Sequence, residues 1–522
     1  MASPSAVLDE FRRASSVTLT YLLRGHAAER PDAVALKGPD RVLTYRQLES
    51  SVSRLASVLR DRGVRPGDRV AIYLRHRLEM AEAIMACSWC GAITVPINSR
   101  LAAPEIAHIL ANSEAKRAVT EQALMPIFRE ASDGMATAEL PIVLESGDGD
   151  DYGGLISGHD EPMAMVEVDD SDTAFILYTS GTTGRPKGAV TTYRNMIVNT
   201  MMVTSLRRIQ PGDEVGLCSL PLFHAGGLSA YMPLLLMGGT AIFPPITAFG
   251  GEEVAELLAE ERVTHLLMVP TQLAELCEAV GPDHSLSLRR IVWSAQKAPQ
   301  AVLEAIHRTF PGIDIYCSFG QTETLVALQL DRDDAERKMG SIGKPLPHVR
   351  LRIVDASGDD VKDGEVGELI VRSPSVCDGY WRNELETERA FADGWFHTGD
   401  LCRRDEEGFL YIVDRAKDVI ISGGENVYSA EVEAVLLAHP GIAEAAVIGR
   451  SHPKWGETPI AIVVAAEPGA VLSEQEIREH CRTRLAAFKC PTAVIALESL
   501  PRNALGKVVK PVLREQYGAA SA

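Results

Sequence analysis

No stretch of about 18 apolar residues, the length a helix needs to cross a bilayer, occurs in this sequence. The most apolar segment, Tyr231 to Ile246, is broken by Pro233, Gly238, Gly239, Pro244 and Pro245. The first residues also lack a basic stretch leading into an apolar run and a small-residue cleavage site. No integral membrane segment and a cytoplasmic location are therefore expected. The 9 cysteines, from Cys87 to Cys490, lack the paired spacing of a disulfide scaffold or a zinc ribbon, which points to a reducing compartment. The one Cys-x-x-Cys, Cys87 to Cys90, lies in an apolar helical stretch and reads as core packing. Basic charge is short too: 52 Lys and Arg against 71 Asp and Glu leave a net charge of -19, which repels nucleic-acid phosphates. Nucleic acid is not an expected partner, and any phosphate must be met locally by lysines, loop amides and metal.

What is there is a chain of 522 residues, too long for one core, with 46% hydrophobic and 24% charged residues, a globular balance that excludes disordered and fibrous classes. Thr44 and Gln47 make a capping box for a helix with an apolar face of Leu48, Val52, Leu55 and Leu59. Gly63 ends it, Pro66-Gly67-Asp68 turns, and Val70 to Ile72 starts a buried strand. A similar Pro211-Gly212-Asp213 precedes a strand-like run from Val215 to Leu220, so two related α/β halves are conceivable. Helix and strand signals alternate to about residue 330, as in parallel sheets flanked by helices. After Gly340 come short β-like runs, Arg350 to Val354 and Glu368 to Arg372, as in a small barrel or distorted antiparallel sheet. The last hundred residues read as a compact α+β unit: a helix from Ser429, strands near Ala445 and Ile460, and a helix capped by Ser473 and Glu476. The boundary is expected near Asp414 to Asp418.

The most informative string is Tyr178-Thr179-Ser180-Gly181-Thr182-Thr183-Gly184-Arg185-Pro186-Lys187-Gly188, which follows the strand-like run Ala174 to Leu177. Its glycines allow close backbone approach to an anion, and its hydroxyls and lysine supply donors to phosphate oxygens. It is not a Walker A loop: Pro186 replaces the glycine before the lysine, no Ser or Thr follows, and a β-like run, Ala189 to Thr192, comes next. A flexible surface loop has the same composition. The complete string distinguishes the two, because it resembles the signature loop of the acyl-adenylate-forming superfamily, which includes acyl-CoA synthetases, adenylation domains of peptide synthetases and firefly-type luciferases.

The resemblance extends along nearly the whole chain. Phe319-Gly320-Gln321-Thr322-Glu323, preceded by Ser318, is similar to the motif in which the aromatic ring packs on adenine, the threonine meets phosphate and the glutamate holds magnesium. Each role suits its residue: a hard cation takes carboxylate oxygen and a purine takes a flat apolar face. Phe396-His397-Thr398-Gly399-Asp400 resembles the element that places its aspartate on the ribose hydroxyls, and Asp414-Arg415 with Lys417-Asp418 resembles the junction where the arginine also reaches ribose and Lys417 is the hinge. Gly423-Gly424-Glu425 resembles the loop lining the thiol-acceptor tunnel, and Gly506-Lys507 the loop carrying the catalytic lysine. The resemblance implies binding of the nucleotide by Thr179, Ser180, Gly181, Thr182, Thr183, Gly184, Lys187, Ala298, Pro299, Ser318, Phe319, Gly320, Thr322, Asp400, Arg415 and Lys507, and catalysis by Lys507, Thr322, Glu323 and His224, with Glu323 on the metal. It also implies an α/β fold: residues 1–416 as a large domain of two flanked sheets plus a small barrel, and 417–522 as a small mobile α+β domain.

Pro221-Leu222-Phe223-His224 resembles the segment lining the acyl pocket, with His224 beside the incoming carboxylate unless it is a satisfied structural histidine. No aspartate stands here to pair an ammonium, so an α-amino acid substrate is not expected. Where relatives commonly carry Gly-Gly-Ala-Pro, this chain has Gln296-Lys297-Ala298-Pro299. These bulkier residues either shorten the pocket or meet a polar substituent, unless Lys297 points to solvent. The implied activity is ATP- and Mg2+-dependent activation of a small-molecule carboxylic acid, fatty or aryl, as acyl-AMP, followed by transfer to coenzyme A. An acyl carrier protein is the alternative acceptor, and an inactive nucleotide-binding relative the remaining alternative. No Ser-His-Asp signature is needed, because in-line attack on phosphorus depends on positioning and charge stabilisation.

Overall fold

The structure, a computed structural model, describes residues 15–139, 141–145, 152–159, 162–179, 186–244, 250–280, 286–294, 300–422, 425–452, 454–467, 469–470, 472–503 and 506–519. The chain divides into two compact units, Met1–Leu351 with Val371–Phe396, and Arg352–Ile370 with His397–Ala522.

In the first unit, β1 (Val34–Lys37) and β2 (Val42–Thr44) lead into α1 (Tyr45–Asp61). The capping box is formed: Gln47 N donates to Thr44 Oγ1 at 3.3 Å and Thr44 N to Gln47 Oε1 at 2.9 Å. Leu48, Val52, Leu55 and Leu59 are buried, and Gly63 (φ 86°) turns the chain out of the helix in a conformation that favours glycine. The helix α2 (Leu78–Trp89) is buried at every position, Cys87 included, and burial pushes the thiol of Cys90 up to about 11, which leaves it a packing residue at this pH range.

Six strands form one sheet: β3 (Arg69–Tyr73), β4 (Ile93–Pro96), β5 (Arg117–Glu121), β6 (Ile142–Leu144), β7 (Thr173–Thr179) and β8 (Lys187–Thr192). Their order is β6-β5-β3-β4-β7-β8, parallel except for the antiparallel β7–β8 pair. The chain then enters α3 (Tyr193–Leu206) and the second sheet: β9 (Val215–Leu217), β10 (Thr240–Ile242), β11 (His265–Met268), β12 (Arg290–Ser294), β13 (Asp314–Gln321), β14 (Leu325–Leu330) and β15 (Lys344–Pro345). With β1 and β2 this sheet has nine strands, ordered β15-β14-β13-β12-β11-β9-β10-β1-β2, with a parallel centre and antiparallel margins. Each Pro-Gly-Asp turn therefore opens a strand of a different sheet. One hydrophobic core runs through Leu36, Leu55, Val70, Phe175 and Phe243, so residues of both sheets share it.

The proline expected to break the apolar segment does not. The helix α4 (Ala225–Met237) runs through Pro233, which is buried among apolar neighbours; that packing outweighs the forfeited N–H bond, and the helix ends instead at Gly238 (φ 68°).

Further along come β16 (Arg350–Val354), β17 (Val366–Arg372), α5 (Glu384–Ala390), β18 (Phe391–Ala392), β19 (Trp395–Arg404) and β20 (Leu410–Arg415), of which α5 and the β18 hairpin belong to the first unit. The second unit carries the order β16-β17-β19, with β20 antiparallel on β19. It continues with β21 (Ile420–Ser422), β22 (Glu425–Val427), α6 (Ser429–Leu437), β23 (Ile442–His452), β24 (Gly456–Ala465), α7 (Glu474–Arg482), β25 (Val494–Leu497) and α8 (Lys510–Tyr517). The sheet order is β22-β21-β24-β23 with β25 on β24. Val432, Leu436 and Ile477 cover one side of it and Leu513 of α8 the other. The fold is mixed α/β, a large N-terminal portion of several sheets followed by a smaller α+β portion, as expected. Among the described residues no helix is long and apolar enough to cross a membrane.

Candidate active site

The phosphate-clamp string is the connection of a β-hairpin. Thr179 at the end of β7 pairs with Lys187 at the start of β8, while Ser180, Gly181, Thr182, Thr183 and Gly184 lie outside the described residues. Gly188 is required by close approach: a Cβ there would meet Ile176 Cγ2 at 2.5 Å and Tyr178 Cζ at 3.0 Å. The Lys187 ammonium pairs with Glu386 of α5 and lies 5.4 Å over the Tyr380 ring. Its hydrogen bond holds the Glu386 carboxyl below the ordinary carboxylate value. Tyr380 in turn donates its hydroxyl to Glu323 Oε1 at 2.7 Å, and burial followed by the Glu323 charge pushes the Tyr380 pKa up.

The clamp lysine and the metal-binding candidate Glu323 are thus linked through a segment that sequence reasoning missed. Residues 378–381 add to β8 by backbone bonds: Asp378 N to Val190 O and Val190 N to Gly379 O, both 2.9 Å, and Trp381 N to Gly188 O, 2.7 Å. The only local hints were Gly379 (φ 117°) and Asn383, which caps α5.

Ser318, Phe319 and Gly320 sit at the end of β13, where the ladder with β14 shifts register between Phe319 and Gly320. A Cβ on Gly320 would lie 1.7 Å from Leu325 O, so only glycine fits this turn. The turn is held by Gln321 N donating to Thr324 Oγ1 at 3.0 Å, and it carries Thr322 and the buried Glu323. Ser318 is buried, its hydroxyl accepting from Arg207 Nη2 at 2.8 Å. Arg207, also missed from sequence, is fully buried, and burial pushes it down to about 9.

His224 caps α4 at the end of a tight turn in which its N–H donates to Pro221 O at 3.1 Å. Its ring stands edge-on to buried Phe223 at 4.5 Å. The preceding loop is pinned by His76, whose Nε2 meets Cys218 O at 2.5 Å; burial pushes His76 down to about 4, so it is neutral at pH 7 and donates. Gln296, Lys297, Ala298 and Pro299 lie outside the described residues; the last described residue before them, Ser294, pairs with Ser318. A Cβ on Gly227 would lie 2.1 Å from Pro221 O and 2.7 Å from Leu220 O. Gly227→Ala is therefore expected to push the His224 turn out of place and lower kcat/KM for the acid about 10²-fold, with KM for ATP held within about twofold. Steady-state kinetics varying each substrate in turn checks this.

In the second unit, Asp400 of β19 lies directly opposite Arg415 of β20, the two paired at 2.5 Å with Asp400 almost wholly buried. Gly399 (φ 68°) makes the bend before Asp400 and donates its N–H to Glu368 Oε1 at 3.0 Å; Thr398 Oγ1 accepts from Asp400 N at 3.1 Å. The Lys507 pKa is lowered, first by lost hydration and then by Arg415, with Asp400 opposing, so the ammonium lies within the field of both ribose-binding candidates; because the residue as a whole is exposed, solvent screens the effect. Lys417 occupies a short turn, Ala416–Asp418, and its pKa is lowered first by lost hydration, with Asp418 opposing. Glu425 is exposed and faces Ser422 across the β21–β22 pair; Gly423 and Gly424 lie outside the described residues.

The hydroxyl of Thr179, the ammonium of Lys187 and the carboxylate of Glu323 are donors and acceptors suited to a polyphosphate with a hard cation. The family model "AMP-binding enzyme" matches residues 23–381, and "AMP-binding enzyme C-terminal domain" matches residues 431–507. Indoleacetate–CoA ligase of Aromatoleum aromaticum is 36% identical over 501 residues, covering 94% of this chain and 96% of its own. Feruloyl-CoA synthase of an Amycolatopsis species is 38% identical over 499 residues, covering 94% and 96%. The o-succinylbenzoate CoA synthetase of Bacillus subtilis superposes with a TM-score of 0.85 in complex with its acyl-adenylate (34% identity, 94% and 97% covered) and 0.83 in complex with ATP and magnesium ion (33%, 94% and 99%). With matches of this extent running through both units, the chain belongs to the acyl-adenylate-forming superfamily of AMP-binding enzymes and is an enzyme of the acid–thiol ligase type.

Proposed function

We propose that the protein is an aryl carboxylic acid–CoA ligase. In the first half-reaction the substrate carboxylate attacks the α-phosphorus of ATP; the new acyl–phosphate bond forms as pyrophosphate leaves. In the second, the thiol of coenzyme A attacks the acyl carbonyl and AMP leaves. Residues 1–416 bind ATP and the acid, and 417–522 form the small domain that supplies Lys507 to the first step and turns about Lys417 between the two.

The single observation that carries the aryl reading is the chemistry of the relatives: indoleacetate, ferulate and succinylbenzoate are all carboxylic acids that carry an aromatic ring. A neutral His76 behind the loop and the absence of a carboxylate at Phe223-His224-Ala225 suit an acid without an ammonium group. Lys187 and Thr179 would meet the phosphates, Phe319 the adenine, and Asp400 with Arg415 the ribose. Glu323 would hold magnesium, which neutralises phosphate charge when bound. Lys507 stabilises the negative charge that gathers between carboxylate and α-phosphate.

Coenzyme A as acceptor is supported by two exposed aromatic rings of the second unit. They are Trp455 and Phe488, with Lys454 4.5 Å over the first ring and Lys489 5.8 Å over the second. Flat rings beside ammonium groups suit a purine nucleotide that carries phosphates.

The test is AMP formation across a panel of benzoates, cinnamates, indoleacetate, dicarboxylates and short to long fatty acids, with and without CoA. CoA-dependent turnover that is highest on an aryl acid is the expected result. Turnover highest on an alkyl acid, or dependent on an acyl carrier protein instead of CoA, would overturn the proposal.

A further inference from the structure

The loop that carries Lys507 is closed on itself. Asn503 N donates to Lys507 O at 2.9 Å, Lys507 N to Asn503 Oδ1 at 3.0 Å and Gly506 N to Asn503 O at 2.9 Å, while Arg502 and Val508 form a β-bridge. Val509 N donates to Pro501 O at 2.8 Å. A loop so cross-linked moves as one piece, so the position of the Lys507 ammonium is set by what holds the loop's two ends. At one end Arg502 pairs with Glu444, and both side chains are exposed to a third or more of their surface, a weakly holding surface pair.

The other end is Lys510, three residues beyond Lys507 and only 14% exposed. Its ammonium meets Glu433 Oε1 at 2.7 Å and Ser429 Oγ at 2.6 Å. Glu433 Oε1 also accepts from Val447 N at 2.8 Å, so the carboxylate is itself fixed. Ser429 is fully buried, and its one hydroxyl hydrogen is directed at Asp414 Oδ2, 2.9 Å away. Asp414 precedes Arg415 and accepts that residue's N–H at 2.7 Å; Arg415 in turn pairs with Asp400. The contacts form a chain from the Lys507 loop through Lys510, Ser429, Asp414 and Arg415 to Asp400.

We propose that Lys510 and Ser429 form a latch that positions Lys507 for adenylation by tying its loop to Asp414, beside Arg415. The proposal rests on the reading that Lys507 acts in the first half-reaction. The latch joins residues on opposite sides of Lys417, so a turn of the small domain about that residue would break it and release Lys507 once the adenylate has formed. A residue that merely stabilised the fold would serve both half-reactions; this one serves the first.

The experiment uses the full chain with Lys510→Met, Lys510→Arg and Lys507→Gln. Adenylation is read by single-turnover pyrophosphate release, and transfer by thioester formation from synthetic acyl-AMP and CoA. Lys510→Met is expected to slow adenylation about 10- to 30-fold at saturating ATP and acid, to leave both KM values within about twofold, and to leave transfer within about twofold. Lys510→Arg, which keeps the cation and its bonds, is expected to recover to within about threefold. Adenylation unchanged in Lys510→Met, or both half-reactions lowered alike, overturns the latch. If Lys510→Met does not fold, Ser429→Ala decides: about a threefold loss confined to adenylation supports it, and no loss overturns it. Adenylation intact in Lys507→Gln would instead overturn the underlying assignment of Lys507.

Discussion

Lys507→Gln is expected to lower the rate of adenylation about 10²- to 10³-fold while thioester formation from preformed acyl-AMP stays within about twofold. The side chain stays polar and of similar length; what is lost is the cation, and with it the attraction for charge that gathers only while the carboxylate–phosphorus bond forms and the bond to pyrophosphate breaks. The sign of the pH dependence follows from the lowered Lys507 pKa. As pH rises through that value the ammonium is lost, so wild-type adenylation should fall on the alkaline side earlier than an ordinary lysine would dictate. The variant should lack this alkaline limb. Single-turnover assays of the two half-reactions across pH measure both effects, and a Lys507→Gln enzyme that adenylates at the wild-type rate refutes the assignment.

Lys417→Pro is expected to do the reverse. Proline fixes φ near -65° and restricts the preceding residue, so a hinge at this position could no longer swing. Lys417 stands in a short turn between β20 and β21, where a helical φ is already present; adenylation should therefore remain within about threefold. Thioester formation should fall about 10²-fold, because the thiol would attack in the wrong geometry. Equal loss of both half-reactions in rapid-quench measurements would remove Lys417 from the hinge role.

How much of this was legible before any coordinates differs from element to element. The capping box at Thr44 and Gln47, the stop at Gly63 and the cap at Ser473 are encoded by residues three or four apart, and each forms as expected. Pro233 misled because a breaker's cost is local while its compensation, burial among apolar neighbours, comes from the rest of the fold. Tyr380 and Glu386 were invisible as site residues: Glu386 meets Lys187 across 199 positions, and nothing near either residue predicts that residues 378–381 extend β8. Arg207 reads as an ordinary helix-end arginine until α3 and β13 bring it under Ser318.

By itself the sequence determined the family, the order of the motifs along the chain, the mixed α/β class and the chemistry each motif can do, since all of these depend on residue type at short spacing. Only the tertiary structure decided which of those groups meet. The clamp became a hairpin connection because Thr179 pairs with Lys187, and Glu323 was linked to that clamp by Tyr380. Asp400 met Arg415 across a ladder, and Lys510, Ser429 and Asp414 tied the Lys507 loop to the residue beside Arg415. The physical reason is range: propensity and capping act within a few residues, whereas ion pairs, ladder bonds and burial act between segments whose separation along the chain carries no trace of their contact.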